Sequence, residues 1–283
     1  MIVDAHQHFW DPARGDYSWL TPDLPICRPF GPNDLWPLLE RNGVDATILV
    51  QAAPTVAETD HIIDIARATD WVLGVVGWIA LDAPAAVREI RRRANDPLFL
   101  GVRPMLQDIA DPNWILSPQV VPALAAIAAE GLVFDALVRP HQIGAIVTLA
   151  QTHPDLTIVL DHAAKPLLGD AAATAAWTAA MWPLAALPNV CCKLSGLITE
   201  LAPGGGRQHL EHAIADLLDL FGPRRLLWGS DWPVLAPAGD YGDWLALVKH
   251  AIAAQAPDAV DAILGGNALR IYRPSISRAG EAR

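Results

Sequence analysis

Eight short apolar runs alternate with helical stretches along this chain, and that alternation is the strongest constraint on its fold. The runs fall at 2–8, 44–50, 72–79, 99–103, 132–138, 156–160, 189–195 and 225–231. None shows the period-2 alternation of a sheet with one wet face, so all eight are expected to be buried on both faces and parallel. The stretches 33–41, 58–68, 84–94, 117–130, 142–152, 171–187, 208–221 and 241–254 read as helices. Pro84 suits a first turn, where its missing N–H costs nothing, Ser117-Pro118 reads as a cap, and Gly131 reads as a helix stop. The pattern predicts an α/β protein built as a single (β/α)8 TIM barrel of parallel strands over 1–273. Within it, 257–273 is expected to be a helix pair closing the barrel bottom or side, with a C-terminal tail at 274–283. An open doubly wound sheet is the alternative, but it would carry a glycine-rich turn after its first strand, and that turn here holds His6-Gln7-His8.

Of the 283 residues, 52% are hydrophobic and 18% charged, enough apolar material for one barrel core. A net charge of -11 with no basic stripe excludes nucleic acid as the expected partner. Cys27, Cys191 and Cys192 have no spacing for a disulfide framework or a cysteine zinc site. There is no basic-then-apolar leader and no apolar run long enough for a bilayer, so a cytoplasmic protein with no membrane partner is expected. Nothing in the sequence specifies an oligomeric state.

Barrel active sites lie at the C-terminal ends of the strands. In chain order those ends carry His6 and His8, Gln51, Trp78, Arg103, His162, Lys193 with Ser195, and Asp231 with Trp232. His6 and His8 share a strand face, roughly 6.5–7 Å apart. Three histidines and an aspartate from strands one, six and eight suit either a four-ligand metal site or a metal-free acid–base cluster. Asp135 and Lys193, interior to strands, are expected to pair inside the barrel because burying either alone is costly. His61, His141, His153, His209, His212 and His250 fall on helices or loops and read as solvated surface. The aperiodic stretch 9–32, rich in Trp, Tyr, Asp and Pro, reads as a long functional loop.

The motifs DAHQHFW at 4–10, GVR at 101–103, LDHAAKP at 160–166, CKLSGL at 192–197 and LLWGSDWPV at 226–234 occur in order at matching strand ends. With GGNALRIY at 265–272, they make the chain resemble the amidohydrolase superfamily over nearly its whole length. It resembles most closely the sugar-lactone hydrolase branch, in which L-fuconolactonases and L-rhamnonolactonases are found. The resemblance implies that His6, His8, His162 and Asp231 stand at the metal-binding and catalytic positions. Binuclear members carry Lys or Glu at the end of strand four and His at the end of strand five, whereas this chain has Arg103 and Leu137-Val138. A guanidinium is not a cation ligand, so no two-metal site is expected, and the branch often works without metal.

What the resemblance implies is therefore a carbohydrate-metabolism hydrolase, of the kind found in L-fucose degradation. It would open L-fucono-1,5-lactone or a similar aldonolactone to the aldonic acid. No cofactor is expected to be required, and at most one Zn2+ or other divalent ion to be held weakly by His6, His8, His162 and Asp231. Asp231 would take a proton from water while the histidines polarise the carbonyl. Arg103 and Gln51 would bond sugar hydroxyls, and Trp10, Trp78 and Trp232, with Trp19 and Trp114, would pack on the sugar's apolar face. The competing readings are another carboxylic ester or lactone hydrolase, or a metal-dependent decarboxylase of the same superfamily, which would use much the same residues around a bound divalent metal. A non-catalytic sugar-binding protein would be expected to lack the base, and Asp231 is in place.

Overall fold

The structure is a computed structural model that describes residues 1–272; the tail expected at 274–283 lies outside the described residues. Its strands are β1 (Val3–Gln7), β2 (Ala46–Val50), β3 (Val72–Gly77), β4 (Phe99–Val102), β5 (Val133–Ala136), β6 (Ile158–Leu160), β7 (Val190–Leu194) and β8 (Leu226–Trp228). They hydrogen-bond in chain order, each neighbouring pair parallel. The ring closes just past β8: Gln7 and Trp232 form a parallel bridge, Asp231 N–H donates to His6 O at 2.8 Å and His8 N–H to Trp232 O at 2.7 Å. The result is the expected (β/α)8 barrel.

Helices α1 (Pro32–Asn42), α2 (Val56–Arg67), α3 (Ala86–Ala94), α4 (Val121–Ala129), α5 (Ile143–Thr152), α6 (Ala171–Ala185), α7 (Arg207–Phe221) and α8 (Tyr241–Gln255) lie between and after the strands. The side chains of Thr55, Asp170 and Asp240 accept first-turn N–H groups and so fix where α2, α6 and α8 begin. The starts expected at Pro84 and Ser117 move. The chain at Pro84 forms a turn and α3 begins at Ala86, while Ser117 serves through its carbonyl, accepting from Val120 and Val121 N–H, so that α4 begins at Val121. No helix among the described residues is long and apolar enough to cross a membrane.

The barrel interior is layered by strand periodicity. Val133, Val159, Cys191 and Leu227 belong to an apolar floor shared with Val3, Ile48, Leu73 and Leu100. Two residues further along their strands come Asp135, Asp161, Lys193 and Gly229, which therefore face inward one layer higher. The floor is plugged by α9 (Asn267–Tyr272), whose Ala268, Ile271 and Tyr272 pack into it. Asn267 Nδ2 ties that helix beneath β8 by donating to Leu226 O at 2.8 Å and Pro223 O at 2.7 Å. Of the helix pair expected at 257–273, the described residues show a short 3-10 turn at Pro257–Ala259, a wide helical turn at Ala262–Gly266 and one short helix.

A bulge in β1 sets the direction of the histidines. Asp4 pairs with Thr47 and Gln7 with Leu49, so β1 spends three residues where β2 spends two. Such a slip re-phases the strand. Asp4 faces outward, accepting from Tyr241 OH at the start of α8, whereas His6 and His8 face the barrel axis.

Candidate active site

Four side chains from three strand ends converge at the barrel mouth. His6 Nε2 lies 3.2 Å from His8 Nε2, and Asp231 Oδ1 lies 3.3 Å from His8 Nε2, 3.7 Å from His6 Nε2 and 3.8 Å from His162 Nε2. All four residues are buried. The His6 and His8 rings are 4.9 Å apart at their centroids, closer than a strand repeat, because both lean toward the Asp231 carboxylate.

Two of the four depend on an uncommon backbone. Asp231 has φ 60°, and His162 begins a run of left-handed residues with φ 52°, 48°, 60° and 55° through Lys165. Each such residue costs on the order of 1 kcal/mol for an L-amino acid, a strain that clusters at functional sites. Small side chains at Ala163 and Ala164 ease it, and Trp177 Nε1 holds the turn by donating to Ala163 O at 2.8 Å. The turn breaks strand alternation, so that consecutive Asp161 and His162 both face the barrel interior.

Each imidazole is braced from behind. His8 Nδ1 donates to Val50 O at 2.7 Å, and His162 Nδ1 meets Ser195 Oγ at 2.9 Å. His6 Nδ1 meets Lys193 Nζ at 3.1 Å and Asp161 Oδ1 at 3.3 Å. Beneath them Lys193 Nζ bonds Asp135 Oδ2 at 2.5 Å, as expected of that pair, and Tyr272 OH donates to the same carboxylate at 2.9 Å. Sequence reasoning did not nominate Asp161 for the site; its signal is its inward phase, two residues beyond Val159.

Electrostatics keep the cluster in defined states. Burial pulls His6 well below the ordinary imidazole range and His162 down to about 4, so both are neutral at pH 7. Burial alone would push the Asp231 carboxyl up, but His162, then the hydrogen bond with His8 and the proximity of His6, hold it below the usual carboxylate range. Burial opposes ionisation of Asp161 as well, and there Lys193, His6 and Arg103 outweigh it.

Gln51 and Arg103, at the ends of β2 and β4, clasp each other. Gln51 Nε2 donates to Arg103 O at 2.9 Å, and Arg103 Nη2 donates to Gln51 O. That leaves Gln51 Oε1 and Arg103 Nε buried with no hydrogen-bond partner among the described residues, an acceptor and a donor on offer together. Past the same strand ends Trp19, Trp78, Trp114 and Met105 line a cavity of about 580 Å3. Trp10 and Trp232 are placed differently. Both are buried edge-to-face against Phe30, at 5.6 and 5.2 Å between centroids, and Trp10 Nε1 donates to Arg28 O at 3.0 Å.

His6, His8 and Asp231 also suit one divalent cation. Ligand bonds of about 2.0–2.2 Å around a tetrahedral ion give edges near 3.4 Å, and the observed edges are 3.2, 3.3 and 3.7 Å. The second convergent group, His6 with Asp135 and Asp161, already surrounds a cation, since Lys193 Nζ stands 3.1, 2.5 and 3.0 Å from its three ligand atoms.

Known proteins agree with this architecture. The chain is 47% identical over 276 residues to an L-fucono-1,5-lactonase of Burkholderia ambifaria, covering 96% of this chain and 95% of that one. It is 36% identical over 282 residues to an L-fucono-1,5-lactonase of Burkholderia multivorans, covering 95% of each. A crystal structure of an amidohydrolase from Burkholderia multivorans with bound zinc superposes with a TM-score of 0.90 at 34% identity, covering 97% of this chain and 99% of that one. The family model described as Amidohydrolase matches residues 3–273. With the match spanning the whole barrel, the chain belongs to the amidohydrolase family.

Proposed function

We propose that this protein is a hydrolase of carboxylic esters that opens a sugar lactone, L-fucono-1,5-lactone or a similar aldonolactone, to the free aldonic acid. The observation that carries the reading is the convergence of the Asp231 carboxylate with three imidazoles at the barrel mouth. The lactonase names of relatives at 47% and 36% identity support the substrate class.

Water adds to the lactone carbonyl carbon, the carbonyl oxygen gains charge, and the ring C–O bond then breaks. Asp231, ionised and 3.3 Å from His8 Nε2, accepts the proton of the attacking water. The same proton leaves on the ring oxygen, which departs as a hydroxyl. Imidazole N–H groups from the cluster stabilise the oxygen that gains charge, a role that a buried, pre-set donor fills without reorganisation. His6, His8 and Asp231 are the residues that would hold one divalent ion, which when bound supplies Lewis-acid polarisation of the carbonyl. Gln51 Oε1 and Arg103 Nε bond substrate hydroxyls, while Trp78, Trp19 and Trp114 take the apolar face of the sugar. Trp10 and Trp232 serve the site through packing, the Trp10 ring lying 6.3 Å from that of His8.

The test is a panel of aldonolactones, simple aliphatic lactones and aromatic carboxylates, assayed for acid release and for carbon dioxide. Preferred turnover of polyhydroxylated lactones is expected. Equal turnover of aliphatic lactones would remove the sugar assignment, and carbon dioxide release with added metal would replace the reading with a decarboxylase.

A further inference from the structure

Four consecutive residues after β6 have positive φ, and none of them is glycine: His162, Ala163, Ala164 and Lys165. Alanine eases the strain at two of these positions, and His162 belongs to the cluster. Lys165 is the remaining case, a long side chain held at φ 55° where glycine would be unstrained. Its backbone N–H closes the turn on His162 O at 2.8 Å, a bond that glycine would make equally well. What glycine would not supply is the ammonium.

That ammonium is placed against one carboxylate. Lys165 Nζ stands 3.7 Å from Glu200 Oε1, with the two side chains 20% and 21% exposed. The separation lies beyond hydrogen-bond reach, and neither charged group makes a hydrogen bond among the described residues. An ion pair so loose and so accessible adds little to stability. Its placement is nonetheless fixed. Glu200 ends the turn Leu197–Glu200 that follows β7, Leu168 N–H donates to Glu200 O at 2.9 Å, and Ala202 N–H donates to Leu168 O at 2.7 Å. The loops after β6 and β7 are thus stapled together beside the pair. The pair also looks onto the cluster: beside burial, the largest influence on each group, Lys165 acts electrostatically on the His162 imidazole and Asp231 on the Glu200 carboxyl.

In the ring of strands β6 and β7 stand across from β2 and β3, past whose ends lie Gln51 and the cavity of Trp19, Trp78 and Trp114. An ammonium with a carboxylate 3.7 Å away is a poor seat for an anion, which the carboxylate repels. It is a good seat for two neighbouring hydroxyls, one accepting from Nζ and the other donating to Oε1. Arg139 and Asp231, the other charges that act on Glu200, are likewise opposite in sign. We propose that Lys165 and Glu200 form a second hydroxyl-binding subsite, which takes adjacent hydroxyls of a neutral, polyhydroxylated substrate on the side of the mouth opposite the indoles. The assignment rests on the sugar-lactone reading for the presence of such a ring at the mouth.

L-Fucono-1,5-lactone and δ-valerolactone share a six-membered lactone ring, and only the first carries hydroxyls. The ratio of their kcat/KM values should fall roughly 10–100-fold in Lys165→Met and in Glu200→Gln, the worth of one hydrogen bond to a charged group. A group acting on the carbonyl, or only on the fold, would lower both rates together and leave the ratio where it was. Lys165→Gly separates the two roles further, since it relieves the positive φ: it should melt within a few degrees of the wild type and show the same fall in ratio. It also stands in for Lys165→Met if that variant fails to fold. Saturation-transfer NMR with L-fucose, a neutral pyranose, reads the subsite without turnover; binding to the wild type, weakened at least about tenfold in both variants, is expected. An unmoved ratio, or L-fucose binding that is absent from the wild type or equally tight in the variants, would overturn the proposal and leave wild-type lactone hydrolysis standing. L-fucose binding that depends on both residues, in a protein that opens no lactone, would sink the lactonase reading and leave the subsite in place.

Discussion

Gly196 is pressed against His162: a Cβ on Gly196 would stand 2.6 Å from His162 Nδ1 and 3.1 Å from Asp231 Oδ2. The ring cannot retreat without losing Ser195 Oγ at 2.9 Å. Gly196 also has φ 64°, so Gly196→Ala should cost about 1–2 kcal/mol from the backbone and, in addition, displace the imidazole. Gly131 is the control, because it has φ 68° and nothing within 4 Å of an added Cβ. Both variants should melt a few degrees lower, while only Gly196→Ala loses at least about tenfold in kcat, the scale on which a small misplacement of a reacting group is felt. Equal activity in the two would show that the His162 position is not critical.

Asp231→Asn tests the base. Asn is nearly isosteric and keeps an acceptor, but it does not take a proton from water. The variant should fold normally and lose roughly 10²–10⁴-fold in kcat, the usual worth of a positioned base. A folded variant retaining more than about a tenth of wild-type turnover would place the residue outside the chemistry on that same scale. In the wild type, His162 gains its proton only near pH 4 and the Asp231 carboxylate persists lower still. The kcat/KM profile should accordingly be flat from about pH 5 to pH 8 and fall below that. An acid limb centred above about pH 6 would assign it to another group.

Exhaustive chelation should leave lactone hydrolysis intact. Arg103 stands at the end of β4, where binuclear relatives carry an anionic or amine ligand, and Lys193 already fills the second convergent group. Calorimetric titration with Zn2+ should find at most one weak site, weakened further in His8→Gln. Activity abolished by chelator and restored only by Zn2+ or Mn2+ would reverse this expectation.

The strands were legible because a parallel barrel buries both faces and leaves unbroken apolar runs; their ends were read one to three residues long because apolar residues such as Val44 and Ile79 continue past the ladder. His6, His8, His162 and Asp231 were legible as polar ends of apolar strands. Asp161 has the inward phase of Val159, but strict alternation would then turn His162 outward, and only the left-handed backbone at His162 brings both in. The same limit hid the bulge that separates Asp4 from His6. Trp10 and Trp232 read like Trp78 in sequence, since an indole at a strand end looks the same whether it packs edge-to-face on Phe30 or lines the cavity shared by Trp19 and Trp114.

Glu58 provides a stability test independent of turnover. Thr55 caps α2 by accepting from Glu58 N–H, yet the Glu58 carboxylate turns away and accepts from Ala52 N–H at 2.9 Å and Ala53 N–H at 2.6 Å, fastening the loop after β2. The side chain is fully buried, and burial pushes its pKa up to about 7 against the pull of those hydrogen bonds. Between the unfolded value near 4.5 and about 7, the folded protein holds a proton that the unfolded chain has released. Stability from this group is therefore fully present below about pH 4.5 and is lost as pH rises through about 7, a difference on the order of 3 kcal/mol. Glu58→Gln cannot titrate, so its urea-unfolding free energy should fall less than that of the wild type between about pH 5 and pH 8. Only the difference in slope matters, which removes any constant cost of the substitution itself. Parallel slopes for the two proteins would mean that the hydrogen bonds from Ala52 and Ala53 outweigh desolvation and keep Glu58 ionised throughout the range.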